Sequence, residues 1–405
     1  MFPRLIACLL AAFVSAAAAR AEAPDPSRWQ AVLAAARGET VYFHAWGGEP
    51  RINDYIAWVG REVAARFGVE LVHVKVAETG AVVAKVLTEK AAGRTGNGSV
   101  DLVWINGENF AAMKENGLLL SEPWADRLPS YRFVDVAGKP TVARDFGVPV
   151  DGLEAPWGMA RLVFFYDPGE VPAPPRSAEA LAAWIEANPG RFTYPQPPDF
   201  MGTTFLKQLL VDLAADPAAL ARPVGSVDFE AVTAPLWAYL DRITPLLWRQ
   251  GRAYPRDYGG MRQLLADGET AISFAFNPAD ASSAIANGEL PDTVRSFVFD
   301  GGTIGNTHFV AIPFDAGASA GAMVVANFLM SPEAQARKEE AAVWGDPTVL
   351  AVDRLPPEDR ARFAAVERGP ATLPPDALGP VLPEPHPSWV APLEAEWARR
   401  YGVGQ

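Results

Sequence analysis

Strand and helix patterns alternate through the first third of the 405-residue chain, and this alternation constrains the fold more than any other feature of the sequence. Each strand pattern is short, apolar and rich in β-branched or aromatic residues, and a helical pattern follows it. Such repeats predict βαβ units and a mostly parallel sheet flanked by helices. The predicted strands and their following helices are 40–46 with 52–67, 69–77 with 80–92, and 101–105 with the stretch after it.

Two long apolar segments divide the chain, at 152–168 and 294–314, and both are too continuous to be surface loops. The strand and helix patterns restart between them, with a predicted strand at 191–195 and a helix starting near Gly202. We interpret the two segments as strands that cross between lobes. A chain of this length also exceeds the size at which a single core usually stops growing, which again favours two lobes.

The two crossings predict that one lobe is inserted within the other. The first lobe comprises residues 22–155 and 309–405, and the inserted second lobe comprises 156–308. Residues 345–405 are rich in proline and lack long periodic runs, so we predict an extended strap there rather than a third domain. Because ligands of open α/β sheets collect at the carboxyl ends of the strands, we expect the site between the lobes.

The first 21 residues predict a secretory signal peptide, since Arg4 precedes an apolar run that ends in a small-residue cleavage site. The alternative, a membrane anchor, is disfavoured because the run is short for a span. Cleavage removes Cys8, the lone cysteine, so we expect neither a disulfide nor a thiolate metal cluster. It also takes the 35 basic residues to 33 against 48 acidic ones, which changes the formal charge from −13 to −15. Such a charge disfavours nucleic acids and anionic membranes as partners.

Aromatic residues beside glycines or prolines are candidates for a cleft wall. Trp46, Trp157, Tyr194, Phe200 and Tyr258 have this setting. Their rings can hold a flat or cationic ligand through stacking and cation–π attraction, worth roughly 0.5 to 2 kcal/mol each. Packing inside a lobe is the alternative for every one of them.

The charge of the ligand stays open at this level. Thr203 and Thr204 follow Gly202 at a predicted helix start, and Thr79-Gly80 offers the same arrangement, which suits an anion. Simple N-capping is an equally good interpretation of these threonines. The acidic residues Glu49, Glu78 and Glu108 favour a cation instead. A ligand with both charges, such as a thiamine-like compound or a phosphorylated heteroaromatic, fits all of these features.

Signals of catalysis are weak. The chain has four histidines and no HExxH motif. His44 and His73 alternate with apolar residues, so we expect them in the core. His308 lies at a crossing and is the better ligand candidate. The GxSxG motif of serine hydrolases is absent. A secreted hydrolase that uses Glu108 and Asp151 remains a competing class, and a receptor that presents its ligand to a chemoreceptor or sensor kinase is another.

Three stretches resemble the extracellular solute-binding proteins of ABC importers, in particular the family 1 type that includes thiamine, iron and polyamine binders. They are DLVWINGENFAAMKENGLL at 101–119, MRQLLADGETAISFAFNPAD at 261–280 and ANFLMSPEAQARK at 326–338. WGGEPRIN, APWGMARLVFFYD and LPEPHPSW look similar to a branch near the thiamine binders. The ferric-ion binders of this family use adjacent tyrosines, and this chain has no Tyr-Tyr pair.

The resemblance implies the two-lobed α/β fold of type II periplasmic binding proteins, with a ligand cleft that closes on binding. It also implies a periplasmic location, an ABC permease dimer in the inner membrane as partner, and no catalysis, and we expect a monomer. No cofactor, metal site or catalytic residue is predicted. The candidate ligand-binding residues are Trp46, Gly47, Gly48, Glu49, Thr79, Gly80, Asn106, Gly107, Glu108, Asn109, Trp157, Gly158, Tyr194, Gly202, Thr203, Thr204, Tyr258, Asn277, Asn306 and His308.

Overall fold

The computed structural model describes residues 23–374 and 377–402, so the predicted signal peptide lies outside the described residues. Helices and strands alternate along the chain, joined in places by short 3-10 turns. The helices are α1 Trp29–Ala36, α2 Pro50–Phe67, α3 Thr79–Ala91, α4 Gly107–Glu115, α5 Ala178–Ala187, α6 Phe200–Leu213, α7 Phe229–Ile243, α8 Tyr258–Ala266, α9 Asp280–Ala286, α10 Ser319–Leu329, α11 Pro332–Glu339, α12 Pro357–Ala364 and α13 Val390–Tyr401. The strands are β1 Thr40–Trp46, β2 Glu70–Val76, β3 Leu102–Ile105, β4 Arg144–Asp145, β5 Val148–Pro149, β6 Glu154–Arg161, β7 Val163–Tyr166, β8 Ile272–Ala275, β9 Arg295–Phe297, β10 Thr303–Ala311 and β11 Val381–Leu382.

The first lobe is built on a mixed sheet in the order β11-β10-β3-β1-β2, with β6 also paired to β10. Strand β1 is parallel to β2 and β3, whereas β10 is antiparallel to β3 and β6. Val41, Phe43 and Ala45 of β1 are buried, and helices α2 and α10 contribute to the same apolar core. The predicted βαβ repeats therefore form the parallel part of this sheet.

The second lobe has a smaller sheet in which β7 lies between β8 and β9. Both pairings are antiparallel, so the expectation of a mostly parallel sheet in each lobe is wrong for this lobe. The physical reason is that β7 continues directly from β6 and enters the sheet between two strands that run the opposite way. Helices α5, α6 and α7 cover this sheet and bury a second apolar core, which includes Phe164 and Phe274.

The predicted crossings are the places where the chain passes between the two sheets. Strands β6 and β10 pair along most of their length in the first sheet, and Leu162, which follows β6, already belongs to the second core. Residues 162–302 thus lie outside the strands of the first sheet, and the lobe bounds of 156 and 308 stay a prediction. The register is set by pairs such as Thr307 with Met159.

The C-terminal segment differs from the prediction that it belongs wholly to the first lobe. Phe363 of α12 packs in the first core, but Trp389, Leu393 and Trp397 pack in the second one. The reason is that α13 has a strongly amphipathic pattern, and its apolar side needs a core to cover it. The strap therefore contacts both lobes.

The predicted strand at 191–195 is an extended segment without a strand ladder. Its backbone still bonds to neighbours, since the carbonyl of Arg191 accepts from Ala271 N–H and that of Phe192 accepts from Trp248 N–H. Prolines follow immediately and cannot donate to a ladder. Among the described residues, no helix is long and apolar enough to cross a membrane.

Candidate functional site

A cavity of about 1410 Å³ lies between the two lobes and is the candidate site. Three parts of the chain form its walls. The first lobe contributes Trp46, Gly47, Gly48, Glu49, Lys75, Val76, Ala77, Glu78, Gly80, Glu108 and Asn109. The second lobe contributes Gln196, Pro197, Pro198, Asp199, Tyr254, Arg256, Asp257, Tyr258, Gly259 and Arg262. The C-terminal segment contributes Pro387, Ser388, Val390, Ala391 and Glu394.

The first-lobe wall is the carboxyl edge of the parallel strands. Trp46 and Val76 are register partners at the ends of β1 and β2, and the N–H of Gly47 donates to the carbonyl of Val76 at 3.0 Å. The Trp46 ring covers Gly48 so closely that a Cβ at Gly48 would collide with it. Trp46 keeps 40% of its surface exposed, which is unusual for tryptophan in a folded chain and leaves a ring face open to the cavity.

The second-lobe wall is built around two helix starts. The carboxylate of Asp199 accepts hydrogen bonds from the N–H groups of Met201 and Gly202 at the start of α6, at 2.9 and 3.2 Å. Asp257 caps α8 in the same way through the N–H of Gly260. These carboxylates accept from N–H groups that an anion would use, so they disfavour the predicted anion site at Gly202.

Carboxylates dominate the charge of the cavity. Burial raises the pKa of Glu78, and the negative charge of Glu108 raises it further. Burial likewise raises the pKa of Asp199 to about 6, against its backbone hydrogen bonds. Within the described residues, Glu78, Glu108 and Glu394 form no ion pair. A positive charge placed between them would lower the energy of all three.

An ion-pair network spans the two lobes at one end of the cavity. Arg51, at the start of α2, contacts Glu49 at 3.2 Å and Asp280 of the second lobe at 3.6 Å. The other oxygen of the buried Asp280 accepts from the Tyr258 hydroxyl and lies 3.8 Å from Arg262. The positive groups of this network are thus neutralised by the chain's own carboxylates. Lys75 and Arg256 also line the cavity, and among the described residues they form no ion pair.

The cavity brings together eight of the predicted ligand-binding residues, and their role in binding stays a prediction. They lie at the end of β1, in the loop that follows it, or in the first turn of a helix. They are Trp46, Gly47, Gly48, Glu49, Gly80, Glu108, Asn109 and Tyr258.

The other predicted residues lie behind the walls or at the crossings. Trp157 is fully buried and packs against Trp104 and Trp344 in the first lobe, and Tyr194 is fully buried in the second. Their rings therefore pack inside the lobes, which was the alternative interpretation. The remaining residues outside the lining are Thr79, Asn106, Gly107, Gly158, Gly202, Thr203, Thr204, Asn277, Asn306 and His308.

Three of these polar residues bond to distant parts of the chain. Asn277 donates to the carbonyl of Trp344, and Asn306 donates to Glu384 of the C-terminal segment. His308 lies 3.0 Å from Asp346, which also bonds to the buried Lys338. These contacts explain the polar residues at the crossings without a ligand.

We next compare the structure with what a hydrolase or a metal site would need. Asp151 forms an ion pair with Lys114 at 2.7 Å and does not line the cavity with Glu108. The part of the chain that the structure describes holds no group of three or more His, Cys, Asp or Glu side chains that suits a metal ion.

Sequence reasoning missed several lining residues. Asp199 and Asp257 each precede a helix pattern, so an N-cap signal was available for both. Arg256 and Tyr254 lie in an irregular loop that carries no periodic pattern, and nothing local points to them. The contribution of Glu394 depends on the path of the C-terminal segment, which the local sequence does not reveal.

Comparison with known proteins identifies the class. Residues 59–352 match the family described as bacterial extracellular solute-binding protein, and the chain therefore belongs to this family. It is 48% identical over 381 residues to Protein YnjB of Escherichia coli (strain K12). The aligned region covers 94% of this chain and 96% of that protein.

Solved structures support the same fold at low sequence identity. The spermidine/putrescine ABC transporter substrate-binding protein PotD from Streptococcus pneumoniae has a TM-score of 0.59 and 16% identity, over 90% of this chain and 98% of that one. The periplasmic binding protein AfuA from Actinobacillus pleuropneumoniae has a TM-score of 0.61 and 13% identity, over 90% and 99%. The predicted type II periplasmic binding fold is confirmed by these structures.

Proposed function

We propose that this protein captures a small organic cation with a flat ring, such as a thiamine-like compound, in the cavity between its lobes. In this proposal it acts as a monomer in the periplasm and delivers the solute to an ABC permease dimer in the inner membrane. One observation carries the proposal. Glu78 and Glu108, which form no ion pair among the described residues, lie on the same cavity wall as the exposed ring of Trp46. A ring and a positive charge on one ligand satisfy both features.

The mechanism is binding without bond chemistry. A ligand that contacts both walls binds the closed arrangement of the lobes more tightly than the open one, and it shifts the population by that difference in affinity. The chain passes between the lobes at β6 and β10, so the bending that closes the cleft is concentrated there. Phosphorylated ligands fit less well at α6 and α8, because Asp199 and Asp257 occupy those helix starts, and the start of α3 follows the acidic Glu78.

Isothermal titration calorimetry on ligand-free protein tests the proposal, with thiamine, spermidine and pyridoxal phosphate as probes. We expect heat from the cation with a ring and none from the anion. Trp46→Ala should weaken that binding about 2- to 30-fold, as expected for the loss of one cation–π contact. Tyr42→Ala is the matched control, since Tyr42 is an exposed aromatic residue on the same strand outside the cavity. Binding of the anion alone would contradict the proposal.

A further inference from the structure

The C-terminal segment makes a third passage between the lobes, beside the two predicted crossings. Its strand β11 pairs in parallel with Thr303 and Ile304 at the start of β10. Glu384 then forms a buried ion pair with Lys207 of α6, with 2.7 Å between Nζ and Oε2. From there the chain continues onto the second lobe, where α13 lies. The segment is thus attached to both lobes before it reaches the cavity.

Two tryptophans anchor this segment to the second lobe. Trp389 is fully buried and donates from its ring nitrogen to the carbonyl of Arg222 at 3.0 Å. Trp397 is fully buried and donates to the hydroxyl of Tyr194 at 2.9 Å. The anchors fix residues 387–394, and we call this part the C-terminal wall. Its cavity-lining residues are Pro387, Ser388, Val390, Ala391 and Glu394.

We propose that the C-terminal wall is a ligand-contacting wall of the cleft and that Glu394 is a specificity-determining residue, which selects positively charged solutes from the side of the second lobe. The inference rests on the proposed function, because it concerns the same cavity. It adds a residue from the far end of the chain to a site that is otherwise built from the two lobes.

The surroundings of Glu394 hold its carboxylate in place without neutralising it. The Thr203 hydroxyl donates to Oε1 at 2.7 Å, and among the described residues Glu394 has no ion-pair partner. Burial raises its pKa, and Glu108 of α4 and Glu78 before α3 raise it further, whereas Thr203 and Lys207 of α6 lower it. The carboxylate therefore lies within electrostatic reach of the two acidic residues on the first-lobe wall.

This arrangement makes lobe closure depend on the charge of the ligand. When the lobes approach each other without a ligand, Glu394 is pressed toward Glu78 and Glu108, and like charges repel strongly where solvent is excluded. A cation between the walls replaces this repulsion with attraction on both sides. A neutral or anionic solute of the same shape does not, so it gains less from closure.

The test compares Glu394→Gln with Glu396→Gln. The first change removes one negative charge while it keeps an oxygen that can accept from Thr203. The second removes the same charge from the same helix, at a residue that bonds to Arg399 and Arg400 and does not line the cavity. Both variants and the unchanged protein are titrated with thiamine and spermidine. Thermal unfolding midpoints without ligand are measured in parallel.

We expect Glu394→Gln to bind the accepted cation about tenfold or more weakly, the usual effect of losing a hydrogen-bonded charge. The same variant should unfold at a higher temperature without ligand, because the repulsion between the walls is reduced. Glu396→Gln should keep the affinity of the unchanged protein. Equal affinity of Glu394→Gln and unchanged protein would overturn the inference and leave the proposed function intact.

The titrations and the ligand-free unfolding midpoints together distinguish failure of the proposed function from failure of this inference. If the unchanged protein does not bind thiamine, the proposed function fails. If it binds neither thiamine nor spermidine, the role of Glu394 in selecting charge fails as well. If the protein binds a cation but the midpoint of Glu394→Gln is not raised, the walls do not repel each other, and charge-dependent closure is overturned.

Discussion

Glu154 is a carboxyl group that the fold holds away from water. It lies at the start of β6, is fully buried, and neither of its oxygens has a hydrogen-bond partner within the described residues. Burial raises its pKa well above the ordinary value of 4.5, and the nearby Asp145 raises it further. The folded protein therefore holds this proton more tightly than the unfolded chain. The resulting stabilisation is complete below pH 4.5 and is lost as the pH rises toward the folded-state pKa.

Replacing Glu154 by glutamine should raise the free energy of unfolding at pH 7 by roughly 1–3 kcal/mol, because a permanently neutral group replaces one that resists ionisation. The gain should shrink toward pH 4, where the carboxyl group is protonated in both states. Urea denaturation at several pH values measures the difference. Glu122→Gln is the control, since Glu122 is exposed and its substitution should show no such trend. A gain that is the same at pH 4 and pH 7 would contradict the argument.

Single residues were predictable where their role follows from chain geometry. Trp46 ends a strand whose bounds the sequence pattern predicted, and a strand end opens onto the cavity. Trp157 has a similar glycine neighbour, yet it lies in a strand that is covered on both faces. The difference depends on which helices cover each part of the sheet. That is a long-range property, and no local pattern distinguishes the two tryptophans.

The position of helix α6 depends on Gly202, whose lack of a side chain allows the helix to approach a neighbouring loop closely. Gly202 packs against the backbone of 195–197, and a Cβ there would overlap the carbonyl oxygen of Pro195. Helix propensity alone favours alanine over glycine by up to about 1 kcal/mol. The neighbouring atoms belong to the backbone and cannot rotate away, so the steric conflict outweighs that preference.

We expect Gly202→Ala to lower the free energy of unfolding by roughly 1–3 kcal/mol, the usual range for overpacking. It should also weaken ligand binding, because Asp199 and the cavity loop precede the same helix start. Gly225→Ala is the control, since a Cβ there meets open space. Denaturant unfolding of the two variants decides the point, and an unchanged midpoint for Gly202→Ala would show that the loop moves aside at little cost.

The bounds of elements with long periodic patterns were predicted well. The pairing of strands that depend on distant parts of the chain was not. Strand β1 has its predicted bounds, and helices α2 and α3 lie within two residues of their predicted ranges. The direction of pairing in the second sheet escaped prediction, because strand order depends on how the chain enters from the first lobe. The segment 191–195 has strand-like residues but no strand neighbour to bond to.

At the scale of the whole molecule, closure of the lobes should be visible in solution. Small-angle X-ray scattering with saturating thiamine should give a smaller radius of gyration than the ligand-free protein, because a bound ligand favours the closed population. Pyridoxal phosphate at the same concentration is the control and should leave the radius unchanged. Calorimetric binding of thiamine without any compaction would contradict closure by hinge bending.

The two-lobed organisation followed from the crossings, but the path of the last sixty or so residues did not. A strap was expected on the first lobe, and the structure shows it contacting both lobes and lining the cavity. Proline-rich segments carry few periodic signals, so their course is decided by the surfaces they meet.

The place of Trp389 and Trp397 in the second core also determines when folding can finish. Strand β7, an early part of that core, is separated from these tryptophans by more than half of the chain. The first core similarly needs α10 and residues up to Phe363. A growing chain therefore lacks a complete second lobe and a closed ligand cleft until α13 is available. A chain that ends before α13 should expose the apolar surface that this helix covers. Completion of the binding site therefore requires the chain through α13.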